Sequence, residues 1–197
     1  MAGKVFRCPG TGGAHPLTGS TQAGIRVADF PSGLVRGEGD IPPRDLYAVF
    51  KDGGFTDNES LAEAIEISWH GPFPTTDLGP AEWSEMYRKA RSFMRIETPP
   101  GDGDLYRGCN PEFKLGMSWT SDFRVAEKYA RTHAIRTGEG QVYSTPMITR
   151  HEVLGFYDDK QEFVLDPRGL IISPVDMPIT GGISPSMSKW WVSRNPW

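Results

Sequence analysis

The break at Pro99-Pro100-Gly101 divides the chain into two halves of different sequence pattern. Before the break, apolar residues recur at spacings of three and four, which is the pattern of amphipathic helices. After it, short apolar runs alternate with turn residues, which is the pattern of strands in a sheet. Helices followed by strands indicate an α+β fold rather than a doubly wound parallel sheet. We treat residues 1–100, irregular and then helical, and residues 101–197, the sheet region, as parts of one compact domain.

Four helices are expected from periodicity and capping residues. Three of them precede the break, over 43–51, 58–69 and 80–96, and one follows it, over 122–133. Pro80 suits the first turn of the third helix, because a proline there loses no hydrogen bond.

The strands are expected from six apolar runs. These runs are Leu105-Tyr106, Met117 to Thr120, Val142-Tyr143, Val153 to Tyr157, Phe163 to Leu165 and Leu170 to Ile172. Residues 1–42 are rich in Gly, Pro, Thr and Ser and predict irregular structure with one or two short strands. Residues 176–197 have a similar composition but carry Trp190, Trp191 and Trp197, so we expect this tail to pack onto the domain.

Composition limits the classes of protein that the chain can belong to. Hydrophobic residues make up 38% and charged residues 23% of it, which is typical of a folded globular protein. The net charge of −4 weakens the case for a nucleic-acid partner without excluding one. Cys8 and Cys109 have no metal-ligand spacing, and no apolar stretch is long enough for a membrane span. We expect a cytoplasmic monomer with no metal.

The first segment whose residues could take part in binding or catalysis is Leu105-Tyr106-Arg107-Gly108. Arg107 ends an apolar run, and a guanidinium can donate two hydrogen bonds to one phosphate. Gly108 has no side chain, so a flat ring can approach its backbone. Taken alone, the pair also fits an ordinary ion pair and turn.

The second segment runs from Gly116 to Asp122. On a strand, Ser118 and Thr120 project to one side and Trp119 to the other. The alternative is a strand followed by a helix cap with no further role.

The third segment begins with Glu162 and continues into the apolar run Phe163-Val164-Leu165. A carboxylate at the start of such a strand is costly to bury without a partner. Glu162 therefore lies either at an exposed strand end or in a cleft where its charge is used.

Taken together, the three segments resemble the mono-ADP-ribosyltransferase family of the arginine–serine–glutamate type, with its bacterial and phage toxins. The resemblance covers roughly residues 104–175. Tyr106-Arg107-Gly108 is similar to the first family motif, Ser118-Trp119-Thr120 to the serine–x–serine/threonine strand, and Glu162 to the catalytic glutamate. The resemblance implies a split, mostly antiparallel sheet with a cleft for NAD⁺.

The family roles can be carried over to the matching residues. Arg107 would hold the phosphates of NAD⁺, and the backbone of Gly108 would hold the nicotinamide amide. Glu162 would place a negative charge beside the ribose, and Ser118 would orient Glu162. NAD⁺ is the substrate in this chemistry, and no metal is required.

The remaining predicted NAD⁺ contacts are aromatic or polar. Trp119, Phe123 and Tyr129 are the candidates for packing on nicotinamide, and Tyr106 and Thr120 complete the expected binding set.

The sequence departs from the family pattern two positions before Glu162. Members that modify arginine have a glutamate there, whereas this chain has Lys160, and Gln161 is one place out of register. Lys160 argues against arginine as the acceptor. A nucleic-acid base or phosphate, another side chain, or water stays open as the acceptor.

Two other functions compete with transfer to a macromolecule. An NAD⁺ glycohydrolase would use water as the acceptor. This alternative stays open because Lys160 stands where a glutamate would activate an arginine acceptor. A non-catalytic interaction module would instead bind a partner through the Trp-rich tail or through Arg88, Arg91 and Arg95, which otherwise form a solvated face of the third helix.

Overall fold

The computed structural model describes residues 30–31, 34–35, 39–73 and 75–176 of the 197-residue chain. The predictions for the first 29 residues and for the Trp-rich tail lie outside these ranges.

Four α-helices are present in these ranges, and they confirm the four predicted helices. They are α1 (Pro43–Lys51), α2 (Asn58–His70), α3 (Pro80–Ala90) and α4 (Phe123–Thr137). None of these described helices is both long enough and apolar enough to cross a lipid bilayer.

Side-chain caps fix where two of the helices begin. The Asp57 carboxylate accepts a hydrogen bond from the Ser60 N–H at 2.7 Å, and that of Asp122 accepts one from the Arg124 N–H at 2.8 Å. These bonds satisfy donors that a helix start otherwise leaves unpaired.

The third helix is shorter than its sequence pattern predicts. It ends at Ala90 rather than at residue 96, because the following backbone is used in tertiary contacts. The Arg95 carbonyl accepts a hydrogen bond from the Phe156 N–H at 2.8 Å. A contact of this kind has no local signal in the sequence.

Within the described ranges, the strands form one antiparallel sheet of six. In spatial order they are β4 (Val153–Tyr157), β5 (Glu162–Leu165), β2 (Ser118–Thr120), β1 (Leu105–Cys109), β3 (Gln141–Thr145) and β6 (Ser173–Pro174). Every pairing between neighbouring strands is antiparallel. The predicted α+β class is therefore confirmed.

Five of the predicted strands lie where the apolar runs placed them, but the prediction for 170–172 is wrong. Leu170 belongs to a turn, in which its N–H bonds the Pro167 carbonyl, and the last strand is Ser173–Pro174. Leu170 and Ile172 pack against the core without entering the sheet. Burial alone thus explains their apolar character.

Helices cover one face of the sheet, which we call the helix-covered face. Helix α4 lies against β1 and β3 so closely that a Cβ added to Gly108 would lie 1.7 Å from the Ala126 carbonyl oxygen. Helices α2 and α3 pack on β4 and β5, where Leu154, Tyr157 and Val164 join the helical core. The opposite face has its own buried cluster, which includes Trp119, Tyr143 and Phe163.

Strands β1 and β2 pair with each other over only a short stretch. They share a single paired position, Tyr106 with Thr120, whereas β1 pairs with β3 along all five of its residues. The sheet therefore opens between β1 and β2 beyond Tyr106.

Candidate active site

The three segments singled out in the sequence lie on three adjacent strands. Arg107 lies on β1, Ser118 on β2 and Glu162 at the start of β5, and these strands are neighbours in the order β5, β2, β1. The fold thus brings together segments that are far apart in the chain.

A row of polar side chains crosses the sheet at Glu162. Glu162 lies directly opposite Thr120 on one side and Tyr157 on the other, and Thr120 lies opposite Tyr106. The row continues to Ser144 on β3. Directly paired residues point to the same face and have Cβ atoms about 5 Å apart. One carboxylate therefore lies in line with several hydroxyl groups on the helix-covered face.

The Glu162 carboxylate is oriented by a tryptophan from the helical half. The Trp69 indole N–H of α2 donates a hydrogen bond to Glu162 Oε1 at 3.1 Å. Trp69 is itself buried and packs edge-to-face on Trp83 and Tyr87, with ring centroids 5.1 and 5.6 Å away. Because the donor is neutral, it orients the carboxylate without cancelling its charge.

The turn before Glu162 is tight. Asp158–Lys160 forms a single helical turn, and Gln161 then adopts the left-handed backbone conformation with φ of 48°. The Gln161 amide donates to the Asp158 carbonyl at 3.0 Å and so holds the turn closed. Lys160 is exposed on this turn, one residue further from Glu162 than Gln161.

Thr120, rather than Ser118, is the direct cross-strand neighbour of Glu162. Ser118 lies on the same face but opposite Val164, two positions further along β5. The Thr120 hydroxyl accepts a hydrogen bond from the Asp122 N–H at 3.1 Å, at the start of α4. The Trp69 indole donates a hydrogen bond to Glu162, and the orienting role of Ser118 stays a prediction.

Arg107 is not on the face that carries Glu162. It pairs with Tyr143, which belongs to the cluster on the opposite face, and its guanidinium lies in the opening between β1 and β2. There Nε donates to the Phe113 carbonyl at 3.1 Å and Nη1 to the Ser118 carbonyl at 2.8 Å. A Cβ added to Gly116 would lie 2.1 Å from Arg107 Nη2, so a larger residue there would displace the guanidinium from this position.

Two more predicted contacts are used for packing. Trp119 is buried on the opposite face, and its indole N–H donates to the Gly116 carbonyl at 3.0 Å, so it does not face Glu162. Gly108 lies beneath Ala126 and Ala130 of α4, and this contact alone requires the absence of a side chain.

The other aromatic candidates lie on the helix-covered face. Tyr106 and Phe123 meet edge-to-face with ring centroids 5.4 Å apart. Tyr129, on α4, is partly exposed, and burial together with the nearby charge of Glu162 raises the pKa of its hydroxyl.

Two residues of α2, Trp69 and His70, border the site although no sequence motif indicated them. The His70 ring packs edge-on against Tyr157 with centroids 4.3 Å apart, and its buried Nε2 has no hydrogen-bond partner within the described structure. Burial, with a smaller contribution from Lys160, lowers the pKa of His70 and keeps it neutral near pH 7. Trp69 lies in the helix predicted over 58–69, and no sequence motif marked it as a site residue.

Comparison of the chain with protein-family models gives no match, and no curated protein or solved structure is significantly similar to it.

Proposed function

We propose that this protein is an NAD⁺-dependent ADP-ribosyltransferase that acts on a macromolecular acceptor, in the manner of toxins and phage–host conflict proteins. The observation that carries the proposal is the Glu162 carboxylate, which is oriented by Trp69 and lies in a row of hydroxyl groups on adjacent strands. The motif resemblance gives the reaction class, and this geometry supports it.

The reaction needs a negative charge more than it needs acid–base catalysis. The bond between the ribose C1′ and the nicotinamide nitrogen breaks with its electron pair going to nicotinamide, which leaves as a neutral molecule. The sugar becomes positively charged, and an anion held beside it lowers the barrier. An acceptor atom then bonds to C1′ and releases its proton to solvent. Glu162 supplies the charge in this scheme.

The residues around Glu162 suit the ribose and nicotinamide ring of NAD⁺, and the phosphates require a separate group. Glu162, Thr120 and Tyr106 present an anion and hydroxyl groups on one face, with Tyr129 beside them, which suits a ribose and a ring. For the phosphates, we assign Arg107 at the opening between β1 and β2. Its guanidinium has N–H groups beyond the two that bind carbonyls.

Hydrolysis of NAD⁺ is the second candidate function. Lys160 lies on the exposed turn that leads into Glu162, where a carboxylate would be needed to take a proton from an arginine acceptor. Water needs no such group to enter an open site. The same residues would then act as an NAD⁺ glycohydrolase.

The test is the release of free nicotinamide from NAD⁺ by the purified full-length chain, with and without added cell lysate. Release together with transfer of labelled ADP-ribose to a lysate macromolecule is the expected result. Equal release in both arms, with no label transferred, would favour the hydrolase. Absence of release from a folded protein would refute both and leave a non-catalytic interaction module.

Replacing Trp69 by phenylalanine is expected to lower kcat about tenfold, because the Glu162 carboxylate loses a hydrogen bond from a fixed donor. Phenylalanine keeps an aromatic ring beside Trp83 and Tyr87 but fills less of the core, so kcat is compared per folded molecule. Steady-state kinetics of nicotinamide release measures the effect. A purely structural role for Trp69 would lower thermal stability and leave kcat per folded molecule unchanged.

A further inference from the structure

A cavity of about 430 Å³ lies at the other end of β5 from Glu162. It is bounded by the end of α3, the start of β4 and the segment that follows β5. Asp166, which lines it, is four residues beyond Glu162, so the two are roughly 13 Å apart at the rise of an extended strand. The cavity is therefore separate from the candidate active site, and its volume is that of a small-ligand pocket.

The lining is rich in arginine. Arg88, Arg91 and Arg168 face two carboxylates, Asp166 and Glu152, so the pocket carries a net positive charge. The whole chain has a net charge of −4, so this sign is a local feature. Part of the basic stripe noted on the third helix thus lines a cavity instead of a plain solvated surface.

Asp166 arranges two of these arginines for a ligand. It accepts hydrogen bonds from Arg88 Nη2 at 2.8 Å and from Arg168 Nε and Nη2 at 2.8 and 2.6 Å. Burial acts to raise the pKa of Asp166, but these bonds outweigh it and lower the pKa to about 2, so the carboxylate stays charged. The two guanidinium groups are held side by side, and each keeps N–H groups that Asp166 does not occupy.

Arg91 forms a wall of the pocket without losing its charge. Its guanidinium donates to the Val153 carbonyl at 2.7 Å, to that of Arg150 at 3.1 Å and to that of His151 at 3.3 Å. These acceptors are neutral, so the positive charge remains available to attract an anion. The three bonds also fix the turn that borders the cavity.

Apart from His151, the rest of the lining is apolar or open. Leu154 and Leu170 supply apolar surface, and Gly169, with φ of +97°, has nothing within 4 Å of the position of a Cβ. A ligand suited to this pocket has an anionic end and a flat, less polar part.

We propose that this pocket binds the phosphate group of a nucleotide, either free or as a unit of a nucleic-acid strand. Paired guanidinium groups match the oxygens of a phosphate, and its double charge is attracted more strongly than a carboxylate. The ribose and base would lie against Leu154, Gly169 and Leu170. The proposal does not depend on the reaction proposed for Glu162.

Calorimetric titration of the full chain tests the proposal, with AMP, adenosine, inorganic phosphate and a ten-nucleotide single strand as separate ligands. AMP is expected to bind and adenosine to bind at least tenfold more weakly, because only AMP carries the phosphate. A strand that binds more tightly than AMP would identify nucleic acid as the source, and one that binds more weakly would identify a free nucleotide. Equal binding of AMP and adenosine, or binding of phosphate without AMP, would overturn the proposal.

Variants locate the binding. Arg88→Gln and Arg168→Gln are each expected to weaken AMP binding about 10- to 100-fold. Lys89→Gln removes the same charge from a residue that does not line the cavity, and is expected to change it less than twofold. Both arginine side chains are largely exposed, and circular dichroism checks that the variants fold. AMP binding that survives in both arginine variants, or that is lost in Glu162→Gln instead, would place the ligand elsewhere and overturn the proposal.

Discussion

Glu162→Gln is expected to slow nicotinamide release from NAD⁺ by about 10²- to 10³-fold, the usual loss when one preorganised electrostatic group is removed from an active site. Glutamine has the shape of glutamate, and its amide oxygen can still accept the Trp69 hydrogen bond. The substitution therefore removes the negative charge and leaves the packing of α2 on β5 in place. The rate of nicotinamide release at saturating NAD⁺ is the measurement.

A matched variant distinguishes the effect of losing the charge at Glu162 from the effect of changing the net charge of the protein. Glu63→Gln changes an exposed glutamate on the same helix as Trp69, and we expect it to release nicotinamide at the wild-type rate. Thermal unfolding should give the same midpoint for Glu162→Gln and wild type within a few degrees. A Glu162→Gln protein that is folded and fully active would show that the release has another source.

Gly108→Ala is expected to destabilise the protein by about 3 kcal/mol or more, at the upper end of overpacking effects. The added Cβ would lie 1.7 Å from the Ala126 carbonyl oxygen and 2.7 Å from the Ala130 nitrogen, and both are backbone atoms of α4. Strand β1 cannot move away from α4 to relieve the clash, because it pairs with β3 at all five of its residues. Urea denaturation measures the change in the free energy of unfolding.

Gly79→Ala is the control for this substitution. Its Cβ would approach only the carboxylate end of Glu82, which is flexible, and the backbone of Gly79 has φ of −76°. We expect a loss below about 1 kcal/mol, as for alanine at a helix N-cap. Similar losses in the two variants would mean that α4 does not press directly on Gly108.

Local pattern was enough to predict most of the secondary structure. The spacing of apolar residues predicted α1 and α2, and Asp57 caps α2 at its predicted start. The prediction failed where distant backbone decided the outcome, as at the end of α3, where Arg95 bonds β4. It also failed at residues 170–172, because burial in a turn and burial in a strand select the same apolar residues.

The candidate site was predictable in its segments but not in its contacts. The three motifs identified the strands that lie side by side. The face on which each side chain lies depends on the register of pairing, because a shift of one residue moves every side chain of a strand to the other face. Arg107 and Trp119 show this, since both alternate away from Glu162. Trp69 and His70 had no signal at all, because their role comes from the packing of α2 on the sheet.

The hydrogen bond between Trp69 and Glu162 joins positions 93 apart in the chain. Contacts between residues so far apart in the chain form late in folding, because closing the intervening loop costs conformational entropy. During synthesis, α2 leaves the ribosome well before β5 exists, so a nascent chain carries the tryptophan without its carboxylate. If the proposed reaction holds, a cell that makes this protein is exposed to loss of its NAD⁺ only once β5 has been made and has docked against α2.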